Sequence, residues 1–163
     1  MRTKLAQQLI HQLKEKGWKI RCVESCTAGG LSAAIASVSG ASEVFDRGWV
    51  TYSNEAKHEE VGVPFELIQT FGAVSEQVVI AMAEGAVKGC EENTVSISVS
   101  GIAGPRGGTP EKPVGTVWIA VKVPHLQFKT KCNLFSGTRT QIQSASIGRA
   151  LSLVTNLIEM ETN

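Results

Sequence analysis

Residues 18–38 pass from a strand pattern to a helix pattern through a run of small residues, and no other stretch constrains the fold as tightly. Trp18 to Glu24 reads as a strand with Trp18, Ile20 and Cys22 on one side. Ser25-Cys26-Thr27-Ala28-Gly29-Gly30 follows, and Leu31 to Val38 looks helical. A strand that turns so abruptly into a helix is the unit from which α/β sheets are wound.

The same alternation runs along the chain. Thr3 to Lys16 places Leu5, Leu9, Ile10 and Leu13 on one helical face, and Gly17 stops it. Gly48 to Tyr52 reads as a short strand, after which Ser53-Asn54 offers cap oxygens to a helix from Glu55 to Val61. Ser75 caps a helix through Val87, with Val74 and Val79 placed as a hydrophobic staple. Thr94 to Ser100 alternates Val95, Ile97 and Val99 with serines, a strand by its period of two, and opens into a Gly/Pro-rich loop, Gly101 to Pro113. Val114 to Val123 and Leu126 to Phe135 meet around Pro124-His125, which implies an antiparallel hairpin, and Thr138 to Glu159 closes the chain as a helix. No repeat or linker interrupts this pattern, so residues 1–163 are expected to form a single domain. The expected fold is a three-layer αβα sandwich with a mixed, mostly parallel sheet and one antiparallel hairpin.

Composition narrows the function classes. The net charge is +1, from 16 Lys plus Arg against 15 Asp plus Glu, so bulk electrostatics suggests no nucleic-acid or anionic-membrane partner. No apolar run approaches the roughly 20 residues of a spanning helix, and Met1 to Leu13 lacks the apolar stretch of a secretory signal, so a cytoplasmic protein is expected. Cys22, Cys26, Cys90 and Cys132 form no CxxC pair and have no nearby His to complete a zinc set, so they read as reduced thiols, with neither metal nor cofactor expected. Gly is in excess, with 16 residues concentrated at Gly29-Gly30 and across Gly101 to Gly108.

Ligands of such sheets bind beyond the carboxyl ends of the strands, where three loops emerge: Glu24 to Gly30, Tyr52 to Lys57 and Ser100 to Pro113. Ser25, between a strand end and a helix start, reads either as a helix cap or as a nucleophile with backbone N–H groups beside it. Cys26 is a rival nucleophile, but His11, His58 and His125 have no obvious claim to partner it, although His58 follows Lys57 directly. Lys57 reads either as a solvated surface lysine or as a base whose charge is opposed by the helix dipole and by burial. Tyr52 is placed to relay a proton, to stack on a flat ring or simply to pack the sheet rim, and Glu24 to orient a donor. Ser100 to Thr109 exposes backbone N–H groups that suit an anion, yet it lacks the Lys-Ser/Thr pair of a Walker A loop. Arg139 opens the last helix against its dipole, a sign that a phosphate bound there with Thr138 would reverse.

Six ordered motifs then stand out: Val-Glu-Ser-Cys-Thr-Ala-Gly-Gly at 23–30, Tyr-Ser-Asn-Glu-Ala-Lys at 52–57, Gly-Ala-Val-Ser-Glu at 72–76, Ser-Gly-Ile-Ala-Gly-Pro at 100–105, Lys-Pro-Val-Gly-Thr-Val at 112–117 and Phe-Ser-Gly-Thr-Arg at 135–139. Together they resemble the CinA C-terminal domain family, in its stand-alone nicotinamide-nucleotide amidase form, across essentially the whole chain. The resemblance covers this domain alone, so the molybdopterin-binding-like domain that precedes it in longer family members is not expected here.

The resemblance implies a bacterial enzyme that hydrolyses the carboxamide of nicotinamide mononucleotide to nicotinate mononucleotide and ammonia, in pyridine-nucleotide salvage. It implies Ser25 as nucleophile, Lys57 as base and Tyr52 as catalytic helper, and homo-oligomerisation. The substrate-binding set expected beside them is Glu24, Thr27, Gly29, Gly30, Asn54, Ser100, Gly101, Gly104 and Arg139. Family members often carry Thr where this chain has Ser100. Two other readings stay open at this level: a non-catalytic interaction module of competence or DNA-damage complexes, and a Ser-Lys amidase for another small phosphorylated amide.

Overall fold

The computed structural model describes residues 1–163. The chain runs α1 (Arg2–Lys16), β1 (Lys19–Glu24), α2 (Gly30–Ala36), a 3₁₀ turn (Ala41–Glu43), β2 (Phe45–Val50), α3 (Asn54–Val61), α4 (Phe65–Phe71), α5 (Glu76–Val87), β3 (Thr94–Gly101), β4 (Thr116–Lys122), β5 (Lys129–Leu134) and α6 (Arg139–Thr162). Gly17 ends α1 in the left-handed region at φ 68°, where its N–H returns to the carbonyls of the last turn.

The sheet order is β2-β1-β3-β4-β5. β2, β1 and β3 are mutually parallel and β4 is antiparallel to both its neighbours, so only β4 runs against the others. This is the expected mostly parallel sheet with one hairpin. α1, α2 and α6 cover one face, with Ile20, Cys22, Ile97, Val99 and Ile119 beneath them. α3, α4 and α5 cover the other, over Val23 and Ala120. No helix is long and apolar enough to cross a membrane.

The alternation in β3 has a packing meaning. Its serine side faces α5 rather than solvent, and Ser96 and Ser98 are fully buried. Their hydroxyls donate to the Ala83 carbonyl at 2.8 Å and the Val79 carbonyl at 2.6 Å, so every buried polar group there is paired and the small side chains let α5 lie close to the sheet. On its far side α5 is equally tight against α3: a Cβ on Gly85 would stand 1.9 Å from the Val61 carbonyl oxygen.

β5 begins at Lys129 rather than Leu126, and two other elements differ from the sequence expectation. β2 starts at Phe45 rather than Gly48, because it is an edge strand whose Asp46 and Arg47 face solvent and interrupt the apolar pattern. Asp46 is instead held by Arg21 of β1 at 2.7 Å. α4 was not expected at all: it has seven residues, no side-chain cap and one buried residue, Ile68. It exists because Ile68 closes the smaller core with Val61, Val63 and α5.

Register sets the position of the site. Glu24, the last residue of β1, pairs with Val50 of β2 on one side and Val99 of β3 on the other. The loops after β1 and β2 leave toward opposite faces, which opens a crevice at the carboxyl end of the parallel strands.

Candidate active site

The turn after β1 is built around Glu24. This carboxylate is fully buried, and its oxygens accept from the Thr27 hydroxyl at 2.7 Å, the Leu31 N–H at 2.8 Å, and the Ser32 N–H and hydroxyl at 2.9 and 2.7 Å. It thereby satisfies the first N–H groups of α2 with a negative charge at the helix's positive end. The turn needs a positive φ at Ala28 (49°) and Gly29 (94°) to bring α2 back onto that carboxylate. Ser25 is fixed at the head of this turn by its own N–H, which donates to the Val99 carbonyl at 3.0 Å.

Lys57 arrives from the other side of the crevice. The Ser53 hydroxyl caps α3 by accepting from the Ala56 N–H, which sets the first turn of the helix and aims Lys57 inward. Its side chain is 1% exposed, an extreme value for a lysine. Nζ donates to Ser25 Oγ at 3.1 Å and to the Thr51 carbonyl at 2.8 Å, and no carboxylate stands beside it. Burial pushes its pKa down from 10.5 to about 8. About a tenth of it is therefore neutral at pH 7, in contact with a serine hydroxyl.

These two residues lie at the floor of a cleft of about 260 Å³. One wall carries Tyr52 and Asn54, the opposite wall is Ser100 to Gly104 with Arg106 and Gly107, and Arg139 closes the end. The Arg139 guanidinium donates to the Tyr52 hydroxyl at 2.5 Å and to the Gly104 carbonyl at 2.6 Å, so it bridges the loops after β2 and β3. Ser100 Oγ donates to the Ala73 carbonyl at 2.8 Å, which holds the turn before α5 against the cleft and leaves only acceptor capacity for a ligand. Gly101 and Gly104 do line the cleft. Their missing Cβ is required by the protein itself, since one on Gly101 would meet Val117 at 2.6 Å and one on Gly104 would meet Val114 at 2.4 Å.

Of the expected site residues, Ser25, Tyr52, Asn54, Lys57, Ser100, Gly101, Gly104 and Arg139 are brought together here. Four others stand behind the wall. Glu24 and Thr27 spend their polar atoms on each other and on α2, Gly29 shapes the turn, and Gly30 makes room for α6, where a Cβ would lie 2.7 Å from Ile147. None of the four lines the cleft, and they shape the turn that carries Ser25 rather than face a ligand. Thr138 is likewise occupied, in a capping box with Gln141. His58 turns away, stacking on Phe65 with its Nδ1 2.8 Å from the Val63 carbonyl. Burial raises the Cys26 thiol to about 11, which disfavours the thiolate a nucleophile requires. Missed from the sequence were Arg106, which directly follows the 100–105 motif, and the Ala73-Val74 turn, which lies within the 72–76 motif.

The N–H inventory of the first turn is also narrower than its length suggests. Ser25, Ala28 and Gly30 donate to Val99, Ser25 and Thr27 respectively, whereas the Cys26, Thr27 and Gly29 N–H groups have no backbone acceptor.

Comparison with known proteins matches this chain to the CinA C-terminal domain over residues 2–158. It is 48% identical to a nicotinamide-nucleotide amidohydrolase PncC of Enterobacter agglomerans, over 85% of this chain and 84% of that protein. It is 43% identical to a CinA-like protein of Syntrophobacter fumaroxidans over 93% of this chain but 35% of that protein, so it spans about a third of this longer relative. Among solved structures, the competence/damage inducible protein CihA from Agrobacterium tumefaciens superposes with a TM-score of 0.91 at 38% identity, covering 96% of this chain and 94% of that one. The fold, the six motifs and these matches agree that the chain belongs to the CinA C-terminal domain family.

Proposed function

We propose that this protein hydrolyses the carboxamide of nicotinamide mononucleotide, giving nicotinate mononucleotide and ammonia, as a cytoplasmic step of pyridine-nucleotide salvage. The observation that carries this is the buried contact between Lys57 Nζ and Ser25 Oγ at 3.1 Å, a nucleophile and base pair in a cleft otherwise free of a competent base. The amidohydrolase name of a relative that aligns along most of its length supports the choice of substrate.

With the amine neutral, Ser25 passes its proton to Lys57 as Oγ attacks the amide carbon. The unpaired N–H groups of this turn, that of the cleft-lining Cys26 among them, are the donors for the oxyanion. The tetrahedral intermediate collapses by breaking the C–N bond, and the lysine ammonium returns the proton to the departing nitrogen, which leaves as ammonia. An acyl ester on Ser25 remains. Water then gives its proton to Lys57, attacks the ester carbon and releases the acid, while the proton returns to Ser25 Oγ. Arg139 and Tyr52 hold the phosphorylated end so that the amide stays in line with Ser25.

The test is ammonia release measured on a panel of nicotinamide mononucleotide, nicotinamide riboside, free nicotinamide and other small phosphorylated amides. The mononucleotide is expected to have the highest kcat/KM. A different phosphorylated amide in first place would keep the Ser-Lys chemistry and replace the substrate. A protein that released ammonia from none of them would be a binding module instead.

A further inference from the structure

The cleft carries three cationic side chains, Lys57, Arg106 and Arg139, and no carboxylate. Glu24, the carboxylate directly before Ser25, is consumed by four donors of the turn and of α2. Arg139 meets only neutral oxygens, those of Tyr52 and Gly104. Arg106 is exposed on the rim and makes neither a hydrogen bond nor an ion pair, although it shares the Ser100 to Gly107 wall with the carbonyl that Arg139 grips. Two guanidinium groups at one cleft, without a compensating anion, form a site for a doubly charged oxyanion.

We infer that Arg106 is a specificity-determining residue: with Arg139 it grips the phosphate monoester of the substrate and selects phosphorylated amides over their dephosphorylated counterparts. This rests on the amidase proposal and deepens it. Arg139, already anchored across the cleft, supplies the fixed half of the grip. Arg106, free of protein partners, supplies the half that forms only when the phosphate arrives. It makes no hydrogen bond with Ser25 or Lys57, so its effect falls on binding rather than on chemistry.

The experiment compares wild type, Arg106→Gln and Arg106→Lys on nicotinamide mononucleotide and nicotinamide riboside, with calorimetric titration of ribose 5-phosphate alongside. Losing one charge-assisted contact is expected to raise KM for the mononucleotide about tenfold, with kcat changed less than about twofold. Kinetics on the riboside should not move, ribose 5-phosphate should bind about tenfold more weakly to Arg106→Gln, and Arg106→Lys should recover part of the loss by restoring the charge without the planar fork. An unchanged mononucleotide KM in Arg106→Gln, or an equal rise for both substrates, would overturn the inference. If wild type released no ammonia yet Arg106→Gln still lost ribose 5-phosphate, the amidase proposal would fall and the phosphate grip would stand. If ammonia were released and ribose 5-phosphate bound equally to both, the reverse would hold.

Discussion

Lys57 Nζ and Ser25 Oγ meet at 3.1 Å although 32 residues separate them in the chain. The contact exists because β1 and β2 pair in parallel up to Glu24 and Val50, which delivers the turn holding Ser25 and the helix holding Lys57 to the same end of the sheet. A lysine so deeply buried beside a hydroxyl, without a carboxylate, is held in a state that costs stability and supplies a base.

The pH profile follows from that state. Lys57 must be neutral to accept the serine proton, so kcat/KM should rise with pH and level off above about 8. Initial rates of ammonia release between pH 6 and 10 measure it. A profile that levels off near the ordinary histidine pKa of about 6.5 would point to a different base.

Stability should carry the same signature with a definite sign. In the unfolded chain Lys57 holds its proton up to about 10.5, and in the folded protein only up to about 8. Between those values the unfolded state binds the extra proton, so folding becomes more favourable as pH rises, and below about 8 the full cost of burying the charge is present. Lys57→Met should therefore be more stable than wild type at pH 7, with the difference moving toward wild type by about 2–3 kcal/mol as pH approaches 10.5. Denaturant unfolding at several pH values tests this, and a pH-independent difference would contradict it.

Cys26→Ala should keep kcat within about threefold of wild type. Its thiol is buried and pushed up to about 11, so it contributes no thiolate at working pH. Loss of activity in Cys26→Ala with an unchanged Tm would restore Cys26 as the nucleophile.

Glu24→Gln should act on the fold. An amide offers one acceptor oxygen where the carboxylate offers two, and it turns an NH₂ toward groups that themselves donate. A loss of about 2–3 kcal/mol is expected, lowering Tm by about 5–10 °C for a domain of this size. An unchanged Tm would mean that the α2 N-terminus does not depend on the carboxylate.

Much of this was legible in the sequence because local and tertiary preferences agree. The strand, turn and helix at residues 18–36, the Ser53 and Ser75 caps, and the hairpin of β4 and β5 all announce themselves within a few residues. Ser25, Lys57, Tyr52 and Arg139 were legible for a related reason: each sits where a strand ends or a helix starts. What sequence could not carry is which way a side chain turns. Glu24 and Thr27 read as cleft residues from their position, but the orphan N–H groups of α2 draw them inward. The alternation in β3 marks a strand without saying what its serines meet, and it is α5 that takes their hydroxyls. α4 left no trace because a single buried side chain, Ile68, anchors it. Arg106 was hidden in a loop whose glycines suggested backbone chemistry, while packing against Val114 and Val117 explains two of them.

The most direct test of Ser25 as nucleophile is the rate of ammonia release from nicotinamide mononucleotide by Ser25→Ala, with Tm measured on the same sample. Removing the attacking oxygen should lower kcat by at least about a thousandfold while Tm stays close to wild type, since the turn is held by the Ser25 backbone and by Glu24 rather than by the hydroxyl. A folded Ser25→Ala protein that retained more than about a tenth of wild-type turnover would contradict the mechanism at its centre.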